Sequence, residues 1–376
     1  MKLSLAVLLF LSSLQAQTPP GDFEELARRA GSLLDSQPAE AATLYKQALA
    51  LKPDWAEGWL YLGATLYQQD RYAEATDAFR KGIALTPQQG TAWAFLGLCE
   101  AMLDDPDQAL ADIRKGEELG FGGNVQFEVA ARTKAAQILI KASSFDEALV
   151  EMQVLTRKEV DSPAVIDTMG LCALSIPYKL SELSPERRAF VSLAGKAAWA
   201  AVKQHPAEAI ATYKELIEQY PKEPGAHYAH GGYLMETDLT AALAEFQTEI
   251  ANTPKHWPSY IMLASLQMRQ GAADQAKETL RAAMKIAPVK YRWMCHAELG
   301  RADLISDNLD GAITELQTAL RLSPTYSQVH FLLSQAYRRA GRMEEAKKES
   351  DEFQKMKVQQ DPLGVPSLQS AIAGKH

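Results

Sequence analysis

Residues 56–89 read AEGWLYLGATLYQQDRYAEATDAFRKGIALTPQQ, and this stretch decides the fold. Trp59, Leu62 and Leu66 fall at i, i+3 and i+7, one apolar stripe along a helix. Gly63 sits beside that stripe. A second run carries Ala75 and Phe79 and ends at Pro87, whose missing backbone N–H halts a helix and stiffens the turn after it. The stretch therefore predicts two antiparallel helices. They must cross closely, which a bulky side chain at the crossing would prevent. Gly63 on the first helix and Ala75 on the second allow the approach, and Trp59 and Phe79 fill the space beside it.

The pattern recurs outward in both directions. Upstream, Ala41, Tyr45, Ala48 and Pro53 keep its second half; downstream, Trp93, Leu96, Gly97 and Ala109 keep its first. The small residue returns at Ala41, Ala75 and Ala109 with intervals of 34 and 34. It returns again at Ala148, Ala209, Ala242, Ala276, Ala312 and Ala346, the last four intervals being 33, 34, 36 and 34. Prolines keep step at Pro53, Pro87, Pro221, Pro254, Pro288 and Pro324, and Gly300 repeats the crossing glycine. One such hairpin cannot bury its own apolar face, whereas stacked hairpins bury it between neighbours.

The spacing W-x2-L-G, then A-x3-F, then P, resembles the tetratricopeptide repeat family over roughly residues 22–355, with Leu66 where the family usually has Tyr. The unit around 129–158 keeps Ala148 but has Met152 where an aromatic is usual. The resemblance implies an all-α fold, an α-solenoid of stacked antiparallel hairpins. It also implies a non-enzymatic scaffold whose partners are other proteins or peptide segments held in a concave groove lined by the first helices.

Composition agrees with a folded, solvated array. Of 376 residues, 47% are hydrophobic and 23% charged, with a net charge of −8 and a pI near 5.5. No dense Lys/Arg run is present, which argues against nucleic acid and against a polybasic membrane patch. Lys2 followed by the apolar run from Leu3 to Leu11, with Leu14 and Ala16 before a cut near Ala16, reads as a secretory signal peptide over residues 1–16. The expected location is periplasmic or secreted; the other reading of that stretch is an uncleaved anchor. Elsewhere no apolar run reaches the length a span needs, so no integral membrane span is expected after cleavage. Cys99, Cys172 and Cys295 are far apart and lie in apolar helical patterns, the setting of small buried residues, although an odd count in an exported chain also allows one pair and one free thiol.

Two intervals break the period. Between Ala109 and Ala148 the extra residues fall in Leu119-Gly120-Phe121-Gly122-Gly123-Asn124, read as a lengthened loop; it lacks the spacing and lysine of a phosphate cradle. Between Ala148 and Ala209, Pro177 and Pro185 interrupt a unit that keeps Met169-Gly170 and lacks a normal second helix. Residues 161–184 are therefore expected to be a degenerate repeat or hinge between an array over 22–160 and another over 185–355. A flexible tail is expected over 358–376.

No H-E-x-x-H and no G-x-S-x-G occurs, and neither a catalytic residue, a cofactor nor a metal site is expected. His227 and His230, at i and i+3, are the one pair with metal-ligand spacing, but the repeat register points His227 to the groove and His230 to the crossing. Carrying the family's groove positions over gives Leu60, Ala64, Tyr67 and Gln68, then Ala94, Leu98, Ala101 and Met102. In the C-terminal half it gives His227, Gly231, Ile261, Ser265, Arg301, Phe331, Gln335, Arg338 and Arg339. The first set is apolar and the second more basic, so the expected cargo is an apolar segment in one half and an acidic one in the other. Two further readings stay open: a helper that binds envelope polysaccharide through exposed tryptophans, and an accessory subunit of a secretion or assembly complex.

Overall fold

The structure, a computed structural model, describes residues 22–324 and 326–360. Among these residues there are nineteen α-helices and no strand. The predicted signal peptide and most of the predicted tail lie outside them. The last helix runs to Gln360, a few residues into the region expected to be tail.

Contacts divide the chain into two compact units at Ala142/Ser143. The first contains α1 (Asp22–Leu33), α2 (Pro38–Leu51), α3 (Ala56–Gln68), α4 (Tyr72–Leu85), α5 (Gly90–Met102), α6 (Pro106–Leu119) and α7 (Val125–Lys141). The second opens with α8 (Phe145–Arg157), α9 (Pro163–Leu174), α10 (Pro185–Val202), α11 (Pro206–Gln219), α12 (Ala226–Leu234) and α13 (Leu239–Asn252). It continues with α14 (Trp257–Arg269), α15 (Ala273–Ile286), α16 (Arg292–Ile305), α17 (Leu309–Leu322), α18 (Ser327–Arg339) and α19 (Met343–Gln360). This corrects the expected boundary. Residues 161–184 do not separate two arrays, because they include the complete helix α9, which packs on α8 before it and on α10 after it. Ala148, read as belonging to the upstream array, falls with α8 in the second unit.

Local chemistry explains the element ends. Pro53, Pro87, Pro221, Pro254, Pro288 and Pro324 each stand two positions beyond the last helical residue. Proline opens α2, α6, α9, α10 and α11, where its missing N–H costs nothing. Asp105, Asn124, Ser184, Asp238 and Asn308 cap helix starts by accepting backbone N–H bonds. Within the hairpins the chain reverses through one left-handed residue, Asp70, Asp104, Gln204, Gly271, Asp307 or Gly341. Short polar residues and glycine tolerate that conformation best.

In the first unit, α1–α2, α3–α4 and α5–α6 pack as hairpins, and α2–α3 and α4–α5 join them into one core. Aromatic rings repeat with the period. Tyr45 stacks on Tyr61 at 5.7 Å between centroids, and Phe79 on Phe95 at 5.2 Å. The expected crossings are present. A β-carbon on Gly63 would stand 2.9 Å from the Phe79 ring, and one on Gly97 2.5 Å from the Ala109 carbonyl oxygen. The glycine-rich stretch turns the chain from α6 to α7, with Gly120, Gly122 and Gly123 all at positive φ.

In the second unit, α10–α11, α12–α13, α14–α15, α16–α17 and α18–α19 are the corresponding hairpins. Among their first helices α10 touches α12, α14 touches α16, and α16 touches α18. Cys99, Cys172 and Cys295 are free and buried, each in the apolar interior of a first-type helix.

Candidate partner-binding face

One register position organises the first helices. Trp59 Nε1–H donates to the Pro53 carbonyl at 2.8 Å, and Trp93 Nε1–H to the Pro87 carbonyl at 2.9 Å. His227 Nε2 meets the Pro221 carbonyl at 3.0 Å, and the Tyr260 hydroxyl donates to the Pro254 carbonyl at 3.1 Å. Each ring lies six residues after the proline that ended the preceding helix. A proline cannot continue the helix, so its carbonyl is an orphan acceptor, and a ring N–H or O–H folded back from the next helix satisfies it.

This ladder corrects the histidine reading. His227 does not face a groove; it occupies the position of Trp59. Its crossing glycine is Gly231, where a β-carbon would stand 3.0 Å from the Phe246 ring, and not His230. Both imidazoles turn to α13. His227 Nδ1 lies 2.5 Å from Glu245 Oε2 and His230 Nδ1 3.1 Å from Glu245 Oε1. The hydrogen bond that His227 donates to Glu245 raises the His227 pKa against the opposing effect of burial. Burial pushes the Glu245 carboxyl up, but the two histidines outweigh it and hold the pKa at about 2. The pair recurs between hairpin partners as His296–Glu315 and His330–Glu349, both at 2.6 Å. The missed signal was in the sequence: counting six residues from Pro53, Pro87, Pro221, Pro254 and Pro324, rather than aligning the second-helix alanines, finds this register.

Four groove expectations in the first unit fail outright. Leu60 (5% exposed), Ala64, Ala94 and Leu98 (4% exposed) are buried in one continuous core, with Leu60 against Gly82 of α4 and Ala94 against Gly116 of α6, the second helices of their own hairpins. Tyr67 is half-buried, with its ring edge-on to Tyr72 and Phe95; Gln68 and Ala101 are likewise half-buried. Met102, at the end of α5, is 47% exposed.

In the second unit Ile261, Ser265, Arg301, Phe331, Gln335 and Arg338 are half-buried or exposed. Arg301 on α16 donates from Nη2 to Ser265 Oγ on α14 at 2.9 Å and pairs with Glu298 at 2.6 Å. Burial raises the Glu298 pKa, opposed by the Arg301 guanidinium. Ile261 and Gln335 are half-buried, Arg338 is exposed, and Phe331 is 36% exposed with its ring 5.3 Å from Phe353. Arg339 turns away from this strip to bond the Leu304 carbonyl and Asp307. The structure thus places Ile261, Ser265, Arg301, Phe331, Gln335 and Arg338 on the first helices α14, α16 and α18, and turns His227 and Gly231 of α12 toward α13. Tyr228, one residue on from His227, takes the equivalent position on α12.

Comparison with known families agrees with the register. Tetratricopeptide repeat models match residues 35–90, 196–223, 258–290 and 304–352. This chain is a tetratricopeptide repeat protein. No curated protein matches it. Among solved structures, MamA is 17% identical, with a TM-score of 0.38 over 44% of this chain and 95% of that one. The tetratricopeptide repeat domain of P58(IPK) is 16% identical, with a TM-score of 0.30 over 89% and 93%. A tetratricopeptide repeat protein from Parabacteroides merdae is 14% identical, with a TM-score of 0.33 over 84% and 98%. Likeness at this level carries no inference about partners.

Within the tetratricopeptide repeats, the tryptophans are engaged at home. Trp55 meets Phe23 and Tyr45, Trp257 stacks on Tyr291, Trp293 lies on Tyr326, and Trp199 lies against His205. Among the described residues no group of three or more His, Cys, Asp or Glu side chains is arranged to hold a metal ion. No described helix is long and apolar enough to cross a membrane.

Proposed function

We propose that this tetratricopeptide repeat protein is a non-enzymatic scaffold acting outside the cytoplasm, which holds peptide or protein segments on the first helices α14, α16 and α18. The observation that carries the reading is the strip joined by the Arg301–Ser265 bond and continued by half-exposed Phe331 and exposed Arg338. An apolar ring about two helical turns from a solvated guanidinium suits a segment with an apolar anchor and an acidic residue further along. The charged N-terminus and apolar run over residues 1–16 support export. Engagement of the tryptophan rings within the repeats favours this reading over polysaccharide binding, which needs open aromatic faces.

The test is affinity capture by the chain from Gln17 onward, with mass spectrometry of what an envelope extract yields. Reproducible protein partners are expected, lost when Phe331→Asp and Arg338→Glu are combined. Partners retained by that variant would place binding elsewhere, and retention of polysaccharide alone would replace the reading.

A further inference from the structure

In the second unit, among the described residues, helix α9 is a first-type helix without a second helix of its own. It is apolar almost all round. Val165, Ile166, Met169, Leu171, Cys172 and Leu174 are buried, as are Asp167, Thr168 and Gly170 between them. A helix with no solvated face must be enclosed by packing on every side. What encloses it is α8 before it and the first helices α10 and α12 of the repeats that follow.

Helices α10 and α12 lie side by side, and α11 packs against both. Two neighbouring helices offer two valleys, one on each side of the pair, and α11 fills one. Helix α9 also packs against both α10 and α12, so it fills the other, the side from which a partner would reach the first helices. The fit is close. A β-carbon on Gly170 would stand 2.0 Å from the Val191 carbonyl oxygen of α10, and one on Gly195 of α10 would stand 1.9 Å from the Ile166 carbonyl oxygen. Asp167 accepts a short hydrogen bond from Ser192. The C-terminal end of α9 continues onto α12 and the start of α14. There the Leu174 carbonyl presses on Gly225, the Ser175 hydroxyl is hydrogen-bonded to Tyr228, and the buried imidazole of His256 faces the Leu174 carbonyl. By contrast, the pair α14 and α16 has only α15 packed against both members among the described residues.

We infer that α9 is a built-in helical occupant of the α10–α12 part of the first-helix face, which confines any outside segment to the α14–α18 stretch. This rests on the proposed use of that face for binding and narrows it. Tyr228 sits at a groove position by register yet is already taken by the chain itself. The valley's own specificity is legible in its occupant: an apolar helix with glycine at the crossing and one carboxylate.

The test supplies the occupant in trans. In Met169→Pro the helix is broken at its centre by a residue that cannot continue it. A fluorescent peptide of residues 162–176 is titrated against wild type and variant, with circular dichroism to check that the variant keeps its helices. The peptide is expected to bind the variant at one per chain and wild type at least about 100-fold more weakly, since the valley is already filled. A helical variant that binds it no better than wild type overturns the proposal. If the variant does not fold, wild type decides through thiol labelling with peptide mass mapping. Cys172 on α9 is expected to react at the same rate as Cys295 on α16, through unfolding of the whole unit, whereas reaction about 100-fold faster means that α9 leaves the valley freely and overturns it. Neither readout uses an outside partner, so failure here leaves capture by α14–α18 to its own test.

Discussion

Trp59 and Trp93 in the first unit and His227 and Tyr260 in the second satisfy the same orphan proline carbonyls, but with different chemistry. An indole N–H has one hydrogen bond to give and no charge to gain. An imidazole has a second nitrogen, and in His227 that nitrogen binds Glu245 across the hairpin. The first unit places its buried charge elsewhere. Glu100, 3% exposed on α5, has its pKa pushed up to about 7 by burial, and hydrogen bonding to Asp112 adds to this against the pull of Arg80. The same repeat geometry therefore yields one unit in which ionisation of a buried acid opposes folding and another in which a charged pair supports it.

The crossings give the largest expected separation between the units. Gly195→Ala sets a methyl 1.9 Å from a backbone carbonyl, which only helix movement can relieve. Gly63→Ala meets the Phe79 ring at 2.9 Å, which a small tilt relieves. Gly195→Ala is expected to cost about 3 kcal/mol and Gly63→Ala about 1 kcal/mol in urea unfolding. Equal costs would mean that α9 is not locked against α10.

Acidity separates the units next. The raised His227 pKa means that its contribution is complete below the ordinary histidine value of 6.5 and fades as pH rises through the folded value. Glu245, held at about 2, contributes fully above its ordinary 4.5 and loses this only as pH falls toward 2. Glu100 has the opposite sign to Glu245, since its preference for the proton helps folding at pH 4.5 and is lost as pH rises through about 7. Glu245→Gln is expected to destabilise the second unit by about 2 kcal/mol at pH 5.5 and less at pH 8. Glu100→Gln is expected to stabilise the first by on the order of 1 kcal/mol at pH 8 and to change little at pH 4.5. Thermal melts across that range, with both units followed by hydrogen exchange, measure each sign.

The smallest effect concerns the carbonyl ladder itself. Trp59→Phe and Tyr260→Phe each remove one donor and keep most of the ring. Both are expected to cost about 1 kcal/mol, read as a lower urea midpoint at unchanged slope. A neutral Trp59→Phe with a costly Tyr260→Phe would show that only the second unit depends on the ladder.

Much of this was written in local spacing. Gly63, Gly97 and Gly300 meet their second helices as the pattern requires, since a close crossing admits no β-carbon wherever the hairpin stands. The groove was read less well. Leu60 and Leu98 carry groove register but are buried, Leu60 against Gly82 of its own second helix, and no spacing rule reports how much of a first helix its surroundings cover. His227 was misplaced because α12 runs one residue out of step with α13. Gly231 precedes Phe246 by 15 positions, where Gly63 precedes Phe79 by 16.

By itself, then, the sequence determined the helices, their ends, the hairpin crossings and the family, because each depends on residues within about one repeat of one another. Tertiary structure alone decided where the chain divides, which first helices stay open, and that α9 lies against α10 and α12 instead of starting a hairpin of its own. Those outcomes depend on surfaces brought together from several repeats. An apolar helix without a partner carries no mark in its own residues of which distant face will bury it.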